Sequence, residues 1–545
     1  MDRISRTNDQ VLDSLIERIE RHIGAKVKQS EINPYRKNPY LLHLALTHIE
    51  YTTARIDARS GAITDDTLLN PRIHDKIVNC IARVGTSAGQ GIGYNQESVP
   101  VKQRMNSLEK RINLILDEAF NSAADSYDEF VSASRRDNST MVPNLVKIEP
   151  TPYLGKVKEK RMPIDKLRRV ARVCSKILSS NGDDDCVTID VHDEVRRLVT
   201  SDGIVIRDGF FGYKFYMTVK TRDEKLSSPM SFSQSLYFTD EDIGGSEKSI
   251  INHAKWMLKE IEKRKKCERK ITNGIYPVLL YQGAMATQLH ECFVHFLASD
   301  EILYNKSTTL GWENFGKMCT NPYMTVYSNP GMPGKWGSME FDHEGVPAQQ
   351  RLLVETGKVI GYLADRDGAY HLSRLTGKPI LPGDARIAFP REGENPSSHP
   401  RISNLEIEYS EQRMAASRKQ MFNRFVNYLR KNKFKEGIFI PDSSCAECYT
   451  EDGRIITYPN FPYVVSTNGN LTPAKFITTR SDVHTFLNNI VTMGGPREYI
   501  PHICGIGDEE STMWVRAGIL CGTGIVRDMH IYAERPEELR QPRFK

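Results

Sequence analysis

The sequence predicts an α+β protein with two unlike halves. In the first half, apolar residues recur at helical spacing in long segments, among them 8–24, 107–136 and 164–178. In the second half, glycine and proline are frequent, and short alternating segments typical of strands follow one another with few long helices. We therefore expect an N-terminal α/β domain over residues 1–270 and a β-rich C-terminal domain, with a curved antiparallel sheet, over residues 271–545.

The composition is that of an ordinary soluble protein. The chain has 545 residues, which is enough for two to four domains, with 26% charged and 39% hydrophobic residues. The net charge of +5 is small for this length and does not indicate a nucleic-acid partner. No apolar run approaches the length of a membrane span, and the N-terminus lacks the apolar core of a signal peptide. We expect a cytoplasmic protein whose ten scattered cysteines are reduced.

The elements of the first half follow from the spacing of its apolar residues. A fourth helix is predicted over 246–269, and its charged end is interpreted as a solvated face. Residues 86–104 show no periodic pattern and are predicted to form a loop. The predicted strands of this half are 41–46, 49–63, 76–84, 187–191, 195–200, 203–207 and 213–220.

The second half is predicted to be mostly strand, with one helix over 417–432. Its first apolar run, 275–281, is followed by a turn of small residues and then by a helical segment, so strand, turn and helix lead into residue 290. The other predicted strands are 337–342, 351–355, 358–364, 406–409, 437–441, 454–458, 463–466 and 475–479.

Two histidines and a glutamate lie within six residues, in His290-Glu291-Cys292-Phe293-Val294-His295. Neutral imidazoles suit zinc, and a glutamate beside a ligand histidine is placed to take a proton from a water molecule. The stretch therefore predicts a zinc centre in which His290 and His295 bind the metal and Glu291 is the general base. Cys292 and Phe293 are interpreted as core residues.

The spacing of the two histidines requires a distorted helix. Residues at i and i+5 are roughly 140° apart around a straight α-helix, whereas the i and i+4 pair of the common zinc-protease signature is about 40° apart. His290 and His295 can share a metal only if the helix widens between them. A π-bulge supplies such a wider turn, so the spacing predicts a distorted helix over 290–295.

A catalytic zinc has three protein ligands and one open position, and two candidates compete for the third place. Cys445-Ala446-Glu447-Cys448 has the spacing of a metal-binding or redox pair. Two thiolates added to two imidazoles would close the site, however, whereas the single thiolate of Cys504 would leave it open. Gly505 and Gly507 would let the chain turn tightly and bring Cys504 to the metal.

The remaining histidines and cysteines receive no assigned role in the chemistry. His343, His484, His502 and His530 are available as oxyanion donors, and each is interpreted as structural. Six cysteines lack metal-binding spacing and are interpreted as inert thiols: Cys80, Cys174, Cys186, Cys267, Cys319 and Cys521.

Four blocks of the sequence resemble the TldD/PmbA metalloprotease family. The first is the run from Tyr276 through a glycine turn to the His-Glu-x-x-x-His stretch, which TldD-type members carry at this place. The second, Asp342-His343-Glu344-Gly345-Val346-Pro347, is similar to the family's Asp-Asp-Glu-Gly-Val-Pro segment. The third, Pro400-Arg401-Ile402-Ser403-Asn404, is similar to its Pro-Arg-x-x-Asn segment, and the fourth, Ile503-Cys504-Gly505, is similar to its Cys-Gly segment. The resemblance covers about 270–530 and is weaker over 1–265.

The sequence departs from the family pattern at two places. His343 stands where the family has its second aspartate, and Asp508-Glu509-Glu510 replaces the usual Gly-Gln after the Cys-Gly segment. These changes affect local loops and the expected substrate choice, but the His-Glu-x-x-x-His stretch is intact.

The resemblance implies a zinc metalloprotease domain over residues 271–545. It implies Zn²⁺ held by two histidines and one cysteine, and the Cys-Gly segment falls on Cys504, which is therefore chosen as the third ligand. Cys445 and Cys448 are then interpreted as a surface or strand-end pair. It also implies hydrolysis of unfolded or short peptides, in peptide maturation or turnover, and a dimer with a metal-free TldE/PmbA-type chain or with a second copy of itself.

Two alternatives remain open. The chain could be a non-catalytic TldE/PmbA-like partner subunit, although PmbA-type chains lack the His-Glu-x-x-x-His stretch. It could also be a peptide-binding protein with a structural zinc, which would be closed by four ligands. A peptide is the expected partner in each case, bound as an extended strand along a sheet edge, and neither nucleic acid nor a membrane is expected.

Overall fold

A computed structural model shows two large sheets with helices packed against them, which confirms the predicted α+β class. None of the helices in the described residues is both long and apolar enough to cross a membrane. The residues that the structure describes are 7, 9–30, 40–68, 73–86, 89–99, 105–134, 145–155, 163–180, 184–221, 230–267, 269, 271–304, 309–387, 398–410, 417–475, 477–506 and 513–533.

The first sheet contains the first eight strands of the chain. They are β1 (Tyr40–Arg59), β2 (Ala62–Asp66), β3 (Ile73–Thr86), β4 (Gly89–Val99), β5 (Pro152–Leu154), β6 (Asp184–Thr200), β7 (Val205–Thr221) and β8 (Met230–Thr239). The order across the sheet is β4-β3-β1-β6-β7-β5, with β2 paired to β1 and β8 paired to β7. The short strand β5 runs parallel to β7, and the other described pairs are antiparallel.

Four helices pack on this sheet and form two apolar clusters with it. They are α1 (Gln10–Ser30), α2 (Met105–Ser134), α3 (Ile164–Ser179) and α4 (Glu247–Lys265). Leu15 of α1 and Ile112 of α2 are buried in one cluster with residues of β1 and β3. Val170 of α3 and Met257 of α4 are buried in the other, with residues of β6 and β7.

The second sheet has thirteen described strands. They are β9 (Gly274–Leu280), β10 (Met324–Ser328), β11 (Arg351–Glu355), β12 (Lys358–Val359), β15 (Asn404–Tyr409), β16 (Glu436–Ile440), β17 (Asp442–Tyr449), β18 (Arg454–Asn460), β19 (Tyr463–Ser466), β20 (Leu471–Pro473), β21 (Thr478–Asp482), β22 (Ile490–Ile506) and β23 (Met513–Tyr532). Two further strands, β13 (Ala385–Ile387) and β14 (Ser398–Pro400), form a separate pair outside this sheet. The central order is β12-β11-β10-β15-β23-β9-β16-β19-β20, and β22 pairs with β23. A side branch runs from β23 through β21 and β18 to β17.

Five helices and a π-helical turn complete the second half. The helices are α5 (Gln282–His290), α6 (Ser299–Leu303), α7 (Arg366–Thr376), α8 (Arg418–Lys431) and α9 (Val483–Asn488). The π-helical turn, Glu291–His295, continues directly from α5. Leu289, Phe293 and Phe296 are fully buried here and join β9 and β23 in the largest apolar cluster of the described residues.

The predicted strands of the first half are shorter than the observed ones. The four segments predicted between 187 and 220 are two long strands, β6 and β7. Residues 86–104, predicted to be a loop, contain β4. That strand lies at the sheet edge and is rich in glycine, glutamine and asparagine, so its sequence shows no apolar alternation. Residues 337–342, predicted to be a strand, form turns instead.

The charged end of α4 is a solvated face at Lys263, Lys265 and Lys266, as predicted, but not at Glu260 and Arg264. Glu260 and Arg264 are buried and form an ion pair of 2.7 Å. Arg264 also donates to the carbonyl of Pro462 at 2.9 Å and lies over the ring of Tyr463. The hydroxyl of Tyr463 donates to Glu260. This end of α4 therefore packs on the second half. The solvated-face prediction, made from charge alone, was wrong for Glu260 and Arg264, because their charges are paired inside the fold.

The Asp342–Pro347 segment connects the two halves through its backbone. Asp342 accepts hydrogen bonds from the backbone N–H groups of Glu344 and Val346, which holds a tight turn. Arg196 of β6 donates to the carbonyl of Asp342 at 3.0 Å. Gly345 has a φ of +87°, and a Cβ there would lie 2.7 Å from Ile204 of the first half. The segment therefore packs directly against the first half of the chain.

Candidate metal centre

Helix α5 is held close to the second sheet by two glycines. A Cβ on Gly524 of β23 would lie 2.7 Å from the sulfur of Met285 in α5, so the missing side chain lets the helix pack closely. A Cβ on Gly283 would collide with the side chain of Asp442, the first residue of β17. These two close approaches place the end of α5 between β23 and β17.

The π-helical turn brings His290 and His295 together. Five residues, Glu291–His295, form the wider turn that the i and i+5 spacing predicts, which confirms the expected distortion. The two imidazole rings have centroids 5.3 Å apart. Cys292 and Phe293 point into the core and are fully buried, as predicted. The widened turn thus presents both imidazoles on one side and apolar residues on the other.

Cys504 reaches the same place from β22. Its Sγ lies 3.9 Å from Nε2 of His295, and ligand atoms of His290, His295 and Cys504 all lie within 4.8 Å of one another. Ligands of one tetrahedral zinc are about 3–4 Å apart, given bond lengths of about 2.0–2.3 Å. The expected glycine turn is wrong for Gly505, which continues the extended strand β22 opposite Trp514. Gly507 lies outside the described residues.

His502 lies on β22, two residues before Cys504, and orients His290 through a hydrogen bond. Its Nδ1 lies 3.3 Å from the carbonyl oxygen of Ile500, which can only accept, so His502 carries its proton on Nδ1. Its Nε2 then accepts from Nδ1 of His290 at 2.6 Å. This tautomer leaves the lone pair of His290 Nε2 free for a ligand. The interpretation of His502 as structural was therefore incomplete, because it contacts a site residue.

The imidazoles are kept neutral, which is the form that binds metal. Burial lowers the pKa of His290 well below its ordinary value and the pKa of His295 to about 3. The guanidinium of Arg401 lowers the pKa of both further. Arg401 is buried and held by both carboxylate oxygens of Asp300, at 2.9 and 3.0 Å. The Pro-Arg-x-x-Asn block therefore supplies positive charge beside the site.

The thiol of Cys504 is in the same electrostatic environment. Burial raises its pKa to about 12, and the positive charges of Arg401 and Arg386 oppose that rise. Arg386 donates to Ser403 at 2.7 Å and is buried as well. Two guanidinium groups thus favour the thiolate, the form of cysteine that binds a metal ion.

Glu291 lies next to the three donors but outside their group. Its Oε2 is 3.7 Å from Nε2 of His295. Burial raises its pKa to about 7, the charge of Glu447 raises the pKa further, and a hydrogen bond with the Cys448 thiol opposes the rise. A carboxylate in such a site can exchange a proton near neutral pH.

Cys448 lies one residue before the end of β17, as the strand-end interpretation expects, but it also lies beside the donors. It lies on β17, half-buried, with ligand atoms of Glu291, His295 and Cys448 within 4.8 Å of one another. Cys445 lies on the same strand and is absent from both donor groups of the described residues. No local sequence pattern could separate the two cysteines, since the contact depends on how β17 packs beside the π-helical turn.

The other candidate histidines lie away from the donors. His343 accepts a hydrogen bond from the backbone N–H of Ile387 at 2.7 Å, which agrees with a structural role. His484 and His530 are exposed. None of these three belongs to a donor group of the described residues.

The donors present fit zinc. Two neutral imidazoles and one thiol beside arginines form a ligand set of the kind found at catalytic zinc, and a hydrogen-bonded partner fixes the tautomer of one imidazole. In the described residues no four-residue donor group surrounds this position. Three protein ligands leave the open position that catalysis requires.

Comparison with known proteins agrees with the family resemblance of the sequence. Residues 273–532 match the family model described as the PmbA/TldA metallopeptidase C-terminal domain. A protein of Haemophilus influenzae named metalloprotease TldD homolog is 26% identical over 205 residues, which cover 38% of each chain. A Buchnera aphidicola protein of the same name is 22% identical over 317 residues, which cover 57% of this chain and 58% of that protein. The chain thus matches less than two thirds of the length of these relatives.

Solved structures extend the likeness of the fold to the first half. A Thermotoga maritima protein aligns with 94% of this chain and 99% of its own, with a TM-score of 0.62 and 15% identity. TldE from Thermococcus kodakarensis aligns with 94% of this chain and 100% of its own, with a TM-score of 0.59 and 12% identity. The family model and the named relatives point the same way, so residues 273–532 of this chain belong to the TldD/PmbA family.

Proposed function

We propose that this chain is a TldD-type zinc metallopeptidase that hydrolyses unfolded or short peptides. The observation that supports this best is the convergence of His290, His295 and Cys504, with Glu291 beside them. The names of the relatives agree with it, since they are metalloproteases. We assign the catalytic domain to residues 271–545 and a supporting N-terminal domain to residues 1–270.

In this proposal His290, His295 and Cys504 hold Zn²⁺, and the other site residues prepare the reaction. When bound, Zn²⁺ supplies a Lewis acid that polarises the scissile carbonyl and lowers the pKa of a water molecule. Glu291 accepts a proton from the attacking water at a carboxylate oxygen and later passes it to the leaving amine nitrogen. His502 keeps His290 in the tautomer that exposes Nε2.

The edge of β17 is the proposed place for the peptide backbone. Among the described strands β17 pairs with β18 alone, so its other edge offers unpaired main-chain groups. Its residues are mostly half-buried, and it runs beside the π-helical turn that carries Glu291. A peptide added to this edge would be held by main-chain hydrogen bonds, which are indifferent to side chains and suit a broad range of peptides.

Replacing Glu291 by glutamine tests the proposal. The variant removes the proton acceptor but preserves shape, so we expect zinc content to stay at the wild-type level while kcat falls by about 10²–10⁴-fold. Peptide hydrolysis and zinc content are measured on the same preparation, and Glu355→Gln, at an exposed position on β11, serves as the control. Full activity in the Glu291 variant would exclude its role as the base. A zinc-free wild-type chain would contradict the metal centre itself.

We also propose that the active form is a dimer, either with a TldE/PmbA-type chain or with a second copy. The support is the family membership together with the likeness to TldE, which shares the fold over 94% of this chain. Light scattering of the active preparation at decreasing concentration measures the mass of the active species. An active monomer at dilute concentration would contradict the dimer.

A further inference from the structure

A second donor group lies beside the first and shares one residue with it. Ligand atoms of Glu291, His295 and Cys448 lie within 4.8 Å of one another. The group joins a carboxylate, an imidazole and a thiol, which together suit a soft or borderline divalent cation such as Zn²⁺ or Cd²⁺. Cys448 already contacts Glu291, since its thiol donates a hydrogen bond to that carboxylate.

The two groups differ in how firmly they would hold a cation. The first has three protein donors, which lie at the end of α5, on the π-helical turn and on β22. Because His295 has a single Nε2 lone pair to share, a cation in the second group would retain only Glu291 and Cys448 as its own protein ligands while the first group is filled. Fewer protein ligands mean weaker binding, so the second group would fill only when the metal is in excess.

A cation in this place would remove the proposed general base. A carboxylate bound to a cation is a much weaker base, because the positive charge stabilises the ionised form and disfavours uptake of the proton of the attacking water. The cation would also stand at the edge of β17, where the peptide backbone is proposed to bind. Both consequences lower turnover without displacing the first metal ion.

We infer that Glu291 and Cys448 form a second, inhibitory site for a soft divalent cation, adjacent to the proposed zinc centre. The inhibitory role rests on the proposed function, because there must be peptide hydrolysis to inhibit. Binding of the second cation can be measured without any activity. Cys445 provides a matched control, because it lies three residues away on the same strand and therefore on the opposite face.

The experiment is a titration of the metal-free chain with Cd²⁺, followed by the absorbance of cadmium–thiolate bonds. Wild type and Cys445→Ala should show two steps, the tight one from Cys504 and a weaker one from Cys448. Cys448→Ala and Cys448→Ser should show the tight step alone, and circular dichroism checks that each variant is folded. A single step in the wild type, or two steps in both Cys448 variants, would overturn the inference.

Peptide hydrolysis under excess Zn²⁺ gives the second readout. The wild type and the Cys445 variant should lose activity as Zn²⁺ rises above one equivalent, whereas the Cys448 variants should need at least tenfold more Zn²⁺ for the same loss. If the Cys448→Ala variant is inhibited at the same Zn²⁺ concentrations as the wild type, the inhibitory role of the second site is overturned. The Cys504→Ala variant separates this inference from the proposed function. If the variant loses the tight Cd²⁺ step, the result supports the proposed zinc centre. If it keeps both steps unchanged, the proposed zinc centre is refuted, while the second site is not.

Discussion

At the scale of single residues, His502 and Arg401 determine what the donors can do. A lone histidine beside a metal site could adopt either tautomer, but His290 donates to His502, which in turn donates to the carbonyl of Ile500, and this selects one. Arg401 acts through its charge, since it disfavours a proton on His290 and His295 and favours the thiolate of Cys504. The site is therefore prepared for a cation by groups that never need to touch it.

Removing the acceptor on His502 should weaken metal binding. In His502→Leu, the Nδ1–H of His290 loses its partner and the ring loses its fixed orientation, so we expect zinc affinity to fall by about 10–100-fold. His502→Gln retains a side-chain acceptor and should recover part of that loss. Competition with a chelator measures the affinity of both variants, and His484→Leu, at an exposed position, is the control. Equal affinities in His502→Leu and the wild type would show that the hydrogen bond has no such effect.

At the scale of elements, the π-helical turn could be predicted because its cause is local. The i and i+5 spacing of two histidines is visible in six residues, and only a widened turn lets both face one point. The contact of Cys504 with His295 is different, because it depends on the pairing of β22 with β23 and of β23 with β9. Resemblance to the family, rather than spacing, selected Cys504, and the glycine turn proposed for it was wrong.

Strand β17 illustrates what sequence patterns cannot show. Its Cys-x-x-Cys spacing suggested a pair acting together, yet alternation along a strand sends the two thiols to opposite faces. Which face meets Glu291 depends on the close approach of Asp442 to Gly283, a contact between residues far apart in the sequence. Strand β22 was also missed, since Gly494-Gly495-Pro496 interrupts its alternation where its register shifts.

At the scale of the whole molecule, buried charge joins the two halves. Arg83 of β3 pairs with Asp367 at 3.3 Å, and Arg366 at the start of α7 pairs with Asp202 at 2.9 Å. His43 adds a contact of 3.3 Å to the same Asp202. Breaking one partner of such a pair leaves an uncompensated buried charge, which costs about 3–5 kcal/mol. These contacts hold the first sheet against the start of α7 in one arrangement.

Buried neutral histidines should make the fold sensitive to acid. Burial lowers the pKa of His192 from 6.5 to about 4, and burial has the same effect on His253. The folded pKa lies below the unfolded one, so the unfolded chain binds the proton first as the pH falls. The contribution to stability is therefore complete above pH 6.5 and is lost progressively down to about pH 4. Each of these two half-buried imidazoles should cost on the order of 1–2 kcal/mol between pH 7 and pH 5.

Replacing His192 by glutamine tests this effect at one position. Glutamine does not titrate and can still meet the hydroxyl of Tyr51, which lies 2.5 Å from Nδ1 of His192. We expect the drop in the urea midpoint between pH 7 and pH 5 to be smaller in His192→Gln than in the wild type, whereas His484→Gln, at an exposed position, should leave the drop unchanged. If His192→Gln and the wild type lose stability equally over this range, the imidazole of His192 is not the group that couples folding to pH.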